Sequence, residues 1–143
     1  MKNSLNSGPA GKTILIVDDE FGILEVLEFI LRDAGFGVKS ALNGQDALAR
    51  LEEGTPDLVI LDYMMPILDG TGVIKAMRAN PQYSDIPIIL TSALHEKAIR
   101  KHCDSYQVFL RKPYKTERLL EEIFRLLNRT NETQSLCPSK RSG

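Results

Sequence analysis

Asp57-Leu-Val-Ile-Leu61-Asp62-Tyr-Met-Met-Pro66-Ile-Leu-Asp69-Gly70 is the stretch on which the fold of this chain turns. Its apolar run, Leu58 to Leu61, is short and bounded by turn signals, the pattern of a strand buried on both faces. The run stops at an acid, Asp62. Pro66 and the Asp69-Gly70 pair then mark a loop and the start of a helix. A strand read this way places Asp62 at its carboxyl end, the edge at which open α/β sheets bind ligands. A single acid at a strand end is most often a turn former or a helix cap. What decides between a cap and chemistry is which side chains the other strands bring to that edge.

Upstream, Thr13–Val17 reads as a first buried strand running into Asp18-Asp19-Glu20. Phe21, Leu24, Leu27, Ile30 and Leu31 follow at helical spacing, and Gly35 stops that helix. Phe36 to Leu42 is a less apolar second strand nearer an edge. Asn43, with Asp46 three residues on, caps a helix whose inner face carries Leu48 and Leu51 and which Gly54-Thr55-Pro56 ends. Downstream, Val73, Ile74 and Met77 mark a third helix, closed by Asn80-Pro81. Pro87 to Leu90 is a fourth strand entering Thr91-Ser92-Ala93. A fourth helix over about residues 94–103 has few apolar positions. Gln107 to Leu110 is a fifth strand entering Arg111-Lys112-Pro113, and Thr116 caps a last helix bearing Leu119, Leu120, Ile123, Phe124 and Leu127. Five strand–helix units predict an α/β domain over residues 12–128 with a parallel five-stranded sheet covered by helices on both faces. Residues 1–11 read as a flexible lead-in and 129–143 as a flexible polar tail.

Composition excludes several classes. A net charge of −1 gives no electrostatic reason for nucleic acid or an anionic membrane to be a direct partner. No apolar run reaches the roughly 20 residues of a membrane span, and no signal-peptide core opens the chain. Cys103 and Cys137 are isolated, as in a reducing cytoplasmic compartment. Gly8-Pro-Ala-Gly11-Lys12-Thr13 resembles the end of a phosphate-binding loop, but it has Asn6 where that loop needs glycine, and it precedes a strand instead of a helix. His95 and His102 lack ligand spacing and read as surface residues. Asp57 and Asp69 read as strand-start and helix-cap residues.

In a parallel sheet all carboxyl ends open on one edge. That edge would receive Asp18 and Asp19 from strand one, Asp62 from strand three, Ser92 from strand four and Lys112 from strand five. Three carboxylates within a few ångströms raise one another's pKa values unless a cation intervenes. Hard oxygen donors suit Mg²⁺. Lys112 and a hydroxyl then remain for an anion, as phosphoryl transfer requires, and a carboxylate can itself be the nucleophile.

With these motifs in order, the chain resembles the receiver domain of two-component response regulators over about residues 12–128. The acidic pair is Asp18-Asp19, the acceptor loop is Asp62 to Gly70, Ser92 is followed by small Ala93, and Lys112-Pro113 closes the set. The resemblance implies a flavodoxin-like (βα)5 fold of strand order 2-1-3-4-5. It implies that Asp62 accepts phosphate from a sensor histidine kinase or histidine phosphotransfer protein. It also implies Mg²⁺ bound by Asp19, Asp62 and the backbone carbonyl of Met64, with Asp18 acting through water, and Lys112 and Ser92 on the phosphoryl oxygens. Thr91 is the alternative hydroxyl; Ala93 directly after Ser92 favours Ser92. Phe109 is the expected switch aromatic, turning into space that Ser92 vacates. No catalysis beyond the domain's own phosphorylation and dephosphorylation is expected.

The chain also departs from that family's pattern. The Ser92–Lys112 span is short and lacks a glycine before strand five, so a shortened or shifted fourth helix is expected. Met64 and Leu94 stand where the family often places polar side chains that orient water, which predicts slow dephosphorylation. A Mg²⁺-dependent phosphohydrolase is a competing class, but it would want a second Asp at Met64. The residues after Asn128 are too few for an output domain, so a stand-alone receiver acting on an unknown protein target is expected, with a receiver piece of a longer regulator as the alternative.

Overall fold

The computed structural model describes residues 11–135, with side chains described as far as Asn128. The expected lead-in up to residue 10 and the tail from residue 136 lie outside the described residues. The elements are β1 (Thr13–Val17), α1 (Phe21–Asp33), β2 (Gly37–Ala41), α2 (Gly44–Glu53), β3 (Leu58–Asp62), α3 (Gly70–Ala79), β4 (Ile88–Ser92), α4 (Glu96–Arg100), β5 (Val108–Arg111) and α5 (Thr116–Ser135). All strand pairs are parallel, in the order β2-β1-β3-β4-β5. This is the flavodoxin-like arrangement expected.

Alternation along the strands sorts the core into two layers. Ile14, Ile16, Ile60 and Ile89 pack beneath α1 and α5, against Leu24, Leu27, Leu31, Leu119 and Ile123. Leu15, Val17, Leu61 and Leu90 pack on the other face against Ala47, Leu51, Val73, Ile74, Met77 and Ile99 of α2, α3 and α4. β3 and β4 are buried at every residue, as central strands flanked by helices must be. β2 and β5 are the edge strands, and the exposed Lys39 of β2 discourages further pairing there.

The punctuation works as the residue types dictate. Gly35 adopts φ +103°, a left-handed conformation that ends α1 at little cost to a residue without Cβ. The Asn43 side chain accepts from Asp46 N–H at 2.8 Å and that of Asp69 from Gly72 N–H at 3.1 Å, each satisfying an orphan donor of the first turn. Asp57 accepts from Thr13 N–H at 2.8 Å, tying the start of β3 to β1.

Four expectations need correction. The fourth helix is shortened, as its short span predicts, and covers only Glu96–Arg100 of the expected 94–103, with Ile99 its single buried side chain. The chain before β5 is fixed instead by Arg78 of α3, whose guanidinium donates to the carbonyls of Ser84, Ile86 and Ser105 and to Gln107 Oε1. Thr116 is the first residue of α5, not the cap before it. α5 also continues past Asn128 to Ser135, since loss of apolar periodicity does not end a helix when no Gly or Pro interrupts it. Phe21 faces outward at 63% exposure, and Val26 and Phe29 are exposed on the same helix.

Candidate functional site

Five of the expected residues sit at the carboxyl edge of the sheet. Asp18 and Asp19 follow β1, Asp62 ends β3, Ser92 ends β4 and Lys112 follows β5. The buried polar or charged side chains among the described residues are Asp18, Asp62, Thr91 and Ser92. All four lie here. Burying carboxyl groups is costly unless they are paired, so a fold that gathers its buried polar groups at one edge has placed them against the general rule of burial.

Pairing is partial. Lys112 Nζ lies 2.8 Å from one Asp18 oxygen and 3.4 Å from Asp62. The other Asp18 oxygen accepts from Glu20 N–H at 2.9 Å. Burial pulls the Lys112 ammonium down, yet the two carboxylates outweigh it and leave its pKa above the ordinary lysine value. Asp62 is pushed up to about 6, first by burial and then by the Asp18 charge, against which Lys112 pulls down. One ammonium therefore does not neutralise this cluster. Asp18, Asp19 and Asp62 each offer a carboxylate oxygen within 4.8 Å of the others. Under-compensated, hard oxygen donors in one small cluster fit a divalent cation such as Mg²⁺.

The loop after Asp62 is bound tightly into the fold. Tyr63 N–H donates to the Thr91 carbonyl at 2.8 Å and Gly70 N–H to the Tyr63 carbonyl at 2.8 Å. A Cβ at position 70 would stand 2.9 Å from Tyr63 Cα, so only glycine lets α3 start this close. Ile67 adopts φ +72°, a strained conformation for a β-branched residue that the sequence reading missed. Met64 and Leu94 are both exposed beside the site, with no polar group to offer water.

Both candidate hydroxyls are buried. Thr91 lies in register with Asp62, on the α1–α5 face. Ser92 is one residue further, and its alternation puts it on the face that holds Phe109. Ser92 Oγ accepts from Leu94 N–H at 3.1 Å, and its carbonyl accepts from Lys112 N–H at 2.8 Å, so the ends of β4 and β5 are bound together. Phe109 is half-buried against the α2–α3–α4 core layer. His95 and His102 are exposed. No described helix is long and apolar enough to cross a membrane.

A family model for the response regulator receiver domain matches residues 14–124. Among curated proteins, "Probable transcriptional regulator ycf27" of Cyanophora paradoxa is 40% identical over 137 residues, covering 92% of this chain and 54% of that protein. "Transcriptional regulatory protein PrrA" of Mycobacterium tuberculosis is 34% identical over 134 residues, covering 90% and 55%. The chain thus spans about half the length of the curated relatives it matches. Among solved structures, chemotaxis protein CheY4 of Vibrio cholerae superposes with a TM-score of 0.74 at 32% identity, over 81% of this chain and 98% of that one. The receiver domain of sensor histidine kinase PA1611 from Pseudomonas aeruginosa, whose structure has magnesium coordinated in its active-site cleft, gives 0.75 at 29% identity over 83% and 99%. Strand order, acidic edge and matched model agree: this chain belongs to the response regulator receiver domain family of two-component signal transduction.

Proposed function

We propose that residues 12–128 form a phosphorylation-dependent switch in which Asp62 accepts a phosphoryl group from the phosphohistidine of a sensor histidine kinase or histidine phosphotransfer protein. The observation that carries this reading is the convergence of the buried polar side chains with Lys112 at one sheet edge. In the transfer, an Asp62 carboxylate oxygen forms the new bond to phosphorus. The phosphorus–nitrogen bond of the donor breaks, and the imidazole nitrogen leaves with the electron pair. Lys112, whose Nζ lies 3.4 Å from Asp62, would neutralise a phosphoryl oxygen. Ser92 supplies a hydroxyl to another, and Phe109 on the same face turns into the space Ser92 leaves. Asp19, Asp62 and the Met64 backbone carbonyl would hold Mg²⁺, with Asp18 acting through water. Bound there, the ion supplies charge neutralisation for the transferring group.

Exposed Met64 and Leu94 support slow loss of the phosphoryl group, because neither can orient an attacking water. The reading includes a cytoplasmic location, no catalysis beyond the domain's own phosphorylation and dephosphorylation, and output through protein contacts. A second reading, a receiver piece of a longer transcriptional regulator, is favoured by relatives about twice as long that are named transcriptional regulators. Incubation with acetyl phosphate and Mg²⁺ tests the acceptor assignment. Wild type is expected to be labelled only with Mg²⁺ present, and Asp62→Asn not at all. Equal labelling of the variant would contradict it.

A further inference from the structure

The short α4 is held at the edge of the sheet by two devices. One is Ile99, fully buried in the core layer beneath it. The other is a polar cluster linking α4 to the chain just before β5. Tyr106 O–H donates to Glu96 Oε2 at 2.8 Å, and Arg100 donates to the same oxygen at 2.5 Å. The Arg100 guanidinium carbon also lies 5.8 Å from the centre of the Tyr106 ring. One carboxylate oxygen thus gathers a phenol and a guanidinium that stack on each other, a combination of charge-assisted hydrogen bonds and cation–π contact.

The cluster reaches the proposed switch through one ring. Tyr106 and Phe109 have centroids 6.3 Å apart with planes tilted by 51°. Phe109 in turn shares a sheet face with Ser92, whose hydroxyl accepts from Leu94 N–H at the start of the loop leading to α4. Arg111 closes the circuit by donating to the Ala93 carbonyl at 3.1 Å. Any inward turn of Phe109 removes the surface on which the Tyr106 ring rests. Any displacement of Ser92 pulls on the loop that leads into α4 at Glu96.

We propose that Glu96, Tyr106 and Arg100 form a latch that holds α4 down and Phe109 in its half-buried position, and that phosphorylation opens it. The opening half rests on the reading of Asp62 as the acceptor; the holding half does not. Opened, the latch frees a carboxylate, a guanidinium and a phenol together on the α4–β5 face, changing what that face presents to a protein target. A two-state element must be biased by both sites for such coupling to exist, and the latch is the element that both Ser92 and Phe109 touch through their neighbours.

Tyr106→Phe, which deletes only the hydroxyl, and Glu96→Ala test the latch on the full chain. Hydrogen exchange of the backbone amides over residues 96–103 in the unloaded protein reads the holding half. Both variants are expected to speed exchange there about five-fold, without changing exchange in β3 and β4. Beryllofluoride with Mg²⁺, read by its half-saturating concentration, tests the opening half. Tyr106→Phe is expected to lower that concentration about five-fold, Glu96→Ala at least as much because it also loses the Arg100 bond, and the double variant no further than Glu96→Ala alone, since both singles remove the Tyr106–Glu96 bond. Unchanged α4 exchange in Tyr106→Phe overturns the latch while leaving Asp62 untouched. Faster exchange with an unchanged or raised half-saturating concentration overturns its link to phosphorylation. A wild type that does not respond to beryllofluoride overturns the Asp62 reading and the opening half with it, while the exchange result still decides the holding half.

Discussion

Asp62 stands between two differently built regions. On its α1 side, Asp18 is anchored through both oxygens, to Lys112 and to Glu20 N–H, beneath a helix that buries Leu24, Leu27 and Leu31. On its far side, α4 is five residues long and buries Ile99 alone. The first region holds charges in fixed positions, which electrostatic stabilisation of a transferring group requires. The second is attached by one aliphatic side chain and one polar cluster, so it is expected to open at lower free energy than the sheet. On the proposed reading the difference teaches that acceptance and readout are separated in space: a firmly anchored place for the phosphoryl group would lie beside a weakly attached element that could report on it.

The sharpest way to break this comparison is to hollow out one residue on each side. Leu90→Ala in β4 removes a fully buried side chain from the central sheet and should lower global stability by about 3–4 kcal/mol. Ile99→Ala removes an equally buried side chain, yet should cost only about 1–2 kcal/mol, because α4 can come away while the sheet stays folded. Denaturant unfolding measures both. Equal losses would mean that α4 is as integral to the fold as β4.

The charge carried by the site gives the next largest effect. The Asp62 pKa lies above its unfolded value, 3.8 against about 6, so the folded state disfavours its ionised form. Below pH 3.8 the group is protonated in both states and contributes nothing; as pH rises through about 6 the penalty becomes complete. In Mg²⁺-free buffer Asp62→Asn should therefore be more stable than wild type at pH 7, by about 2–3 kcal/mol. The gap should close towards pH 3.5, the acid side of both values. Added Mg²⁺ should shrink it at pH 7 by stabilising wild type. A variant less stable than wild type at pH 7 would show the cluster to be fully compensated by Lys112.

The smallest effect concerns the exposed apolar pair at the rim. Replacing Met64 with Asn and Leu94 with Glu restores polar groups that can orient water, and should speed decay of the phosphorylated protein about ten-fold, or about 1.4 kcal/mol in barrier height. Decay that stays the same or slows would remove these two positions from the account of its rate.

What could be read from the sequence follows the same division. β1, β3 and β4 are recognisable because aliphatic runs buried on both faces carry their own signal, and the acids and lysine that end β1, β3 and β5 needed only the parallel sheet to bring them together. Asn43 and Asp69 were legible as caps because capping depends on side-chain chemistry within three residues. The Arg78 clamp and the Glu96–Tyr106–Arg100 cluster were not, since each joins residues through contacts that appear only when α3, α4 and β5 are packed. Phe21 misled because helical spacing identifies a face but cannot say where the sheet beneath it ends. The strain at Ile67 was equally hidden: nothing in an Ile between Pro66 and Leu68 announces a left-handed backbone. α5 outran its predicted end because apolar periodicity reports packing and not helicity.

The central claim, that Asp62 is the phospho-acceptor, is tested most directly by locating the modification. Wild-type protein phosphorylated by a small-molecule donor with Mg²⁺ should yield, after trapping and digestion, a single modified peptide whose fragment masses place the group on Asp62. A phosphoryl group found on Asp18, Asp19, Thr91 or Ser92 instead would contradict the account.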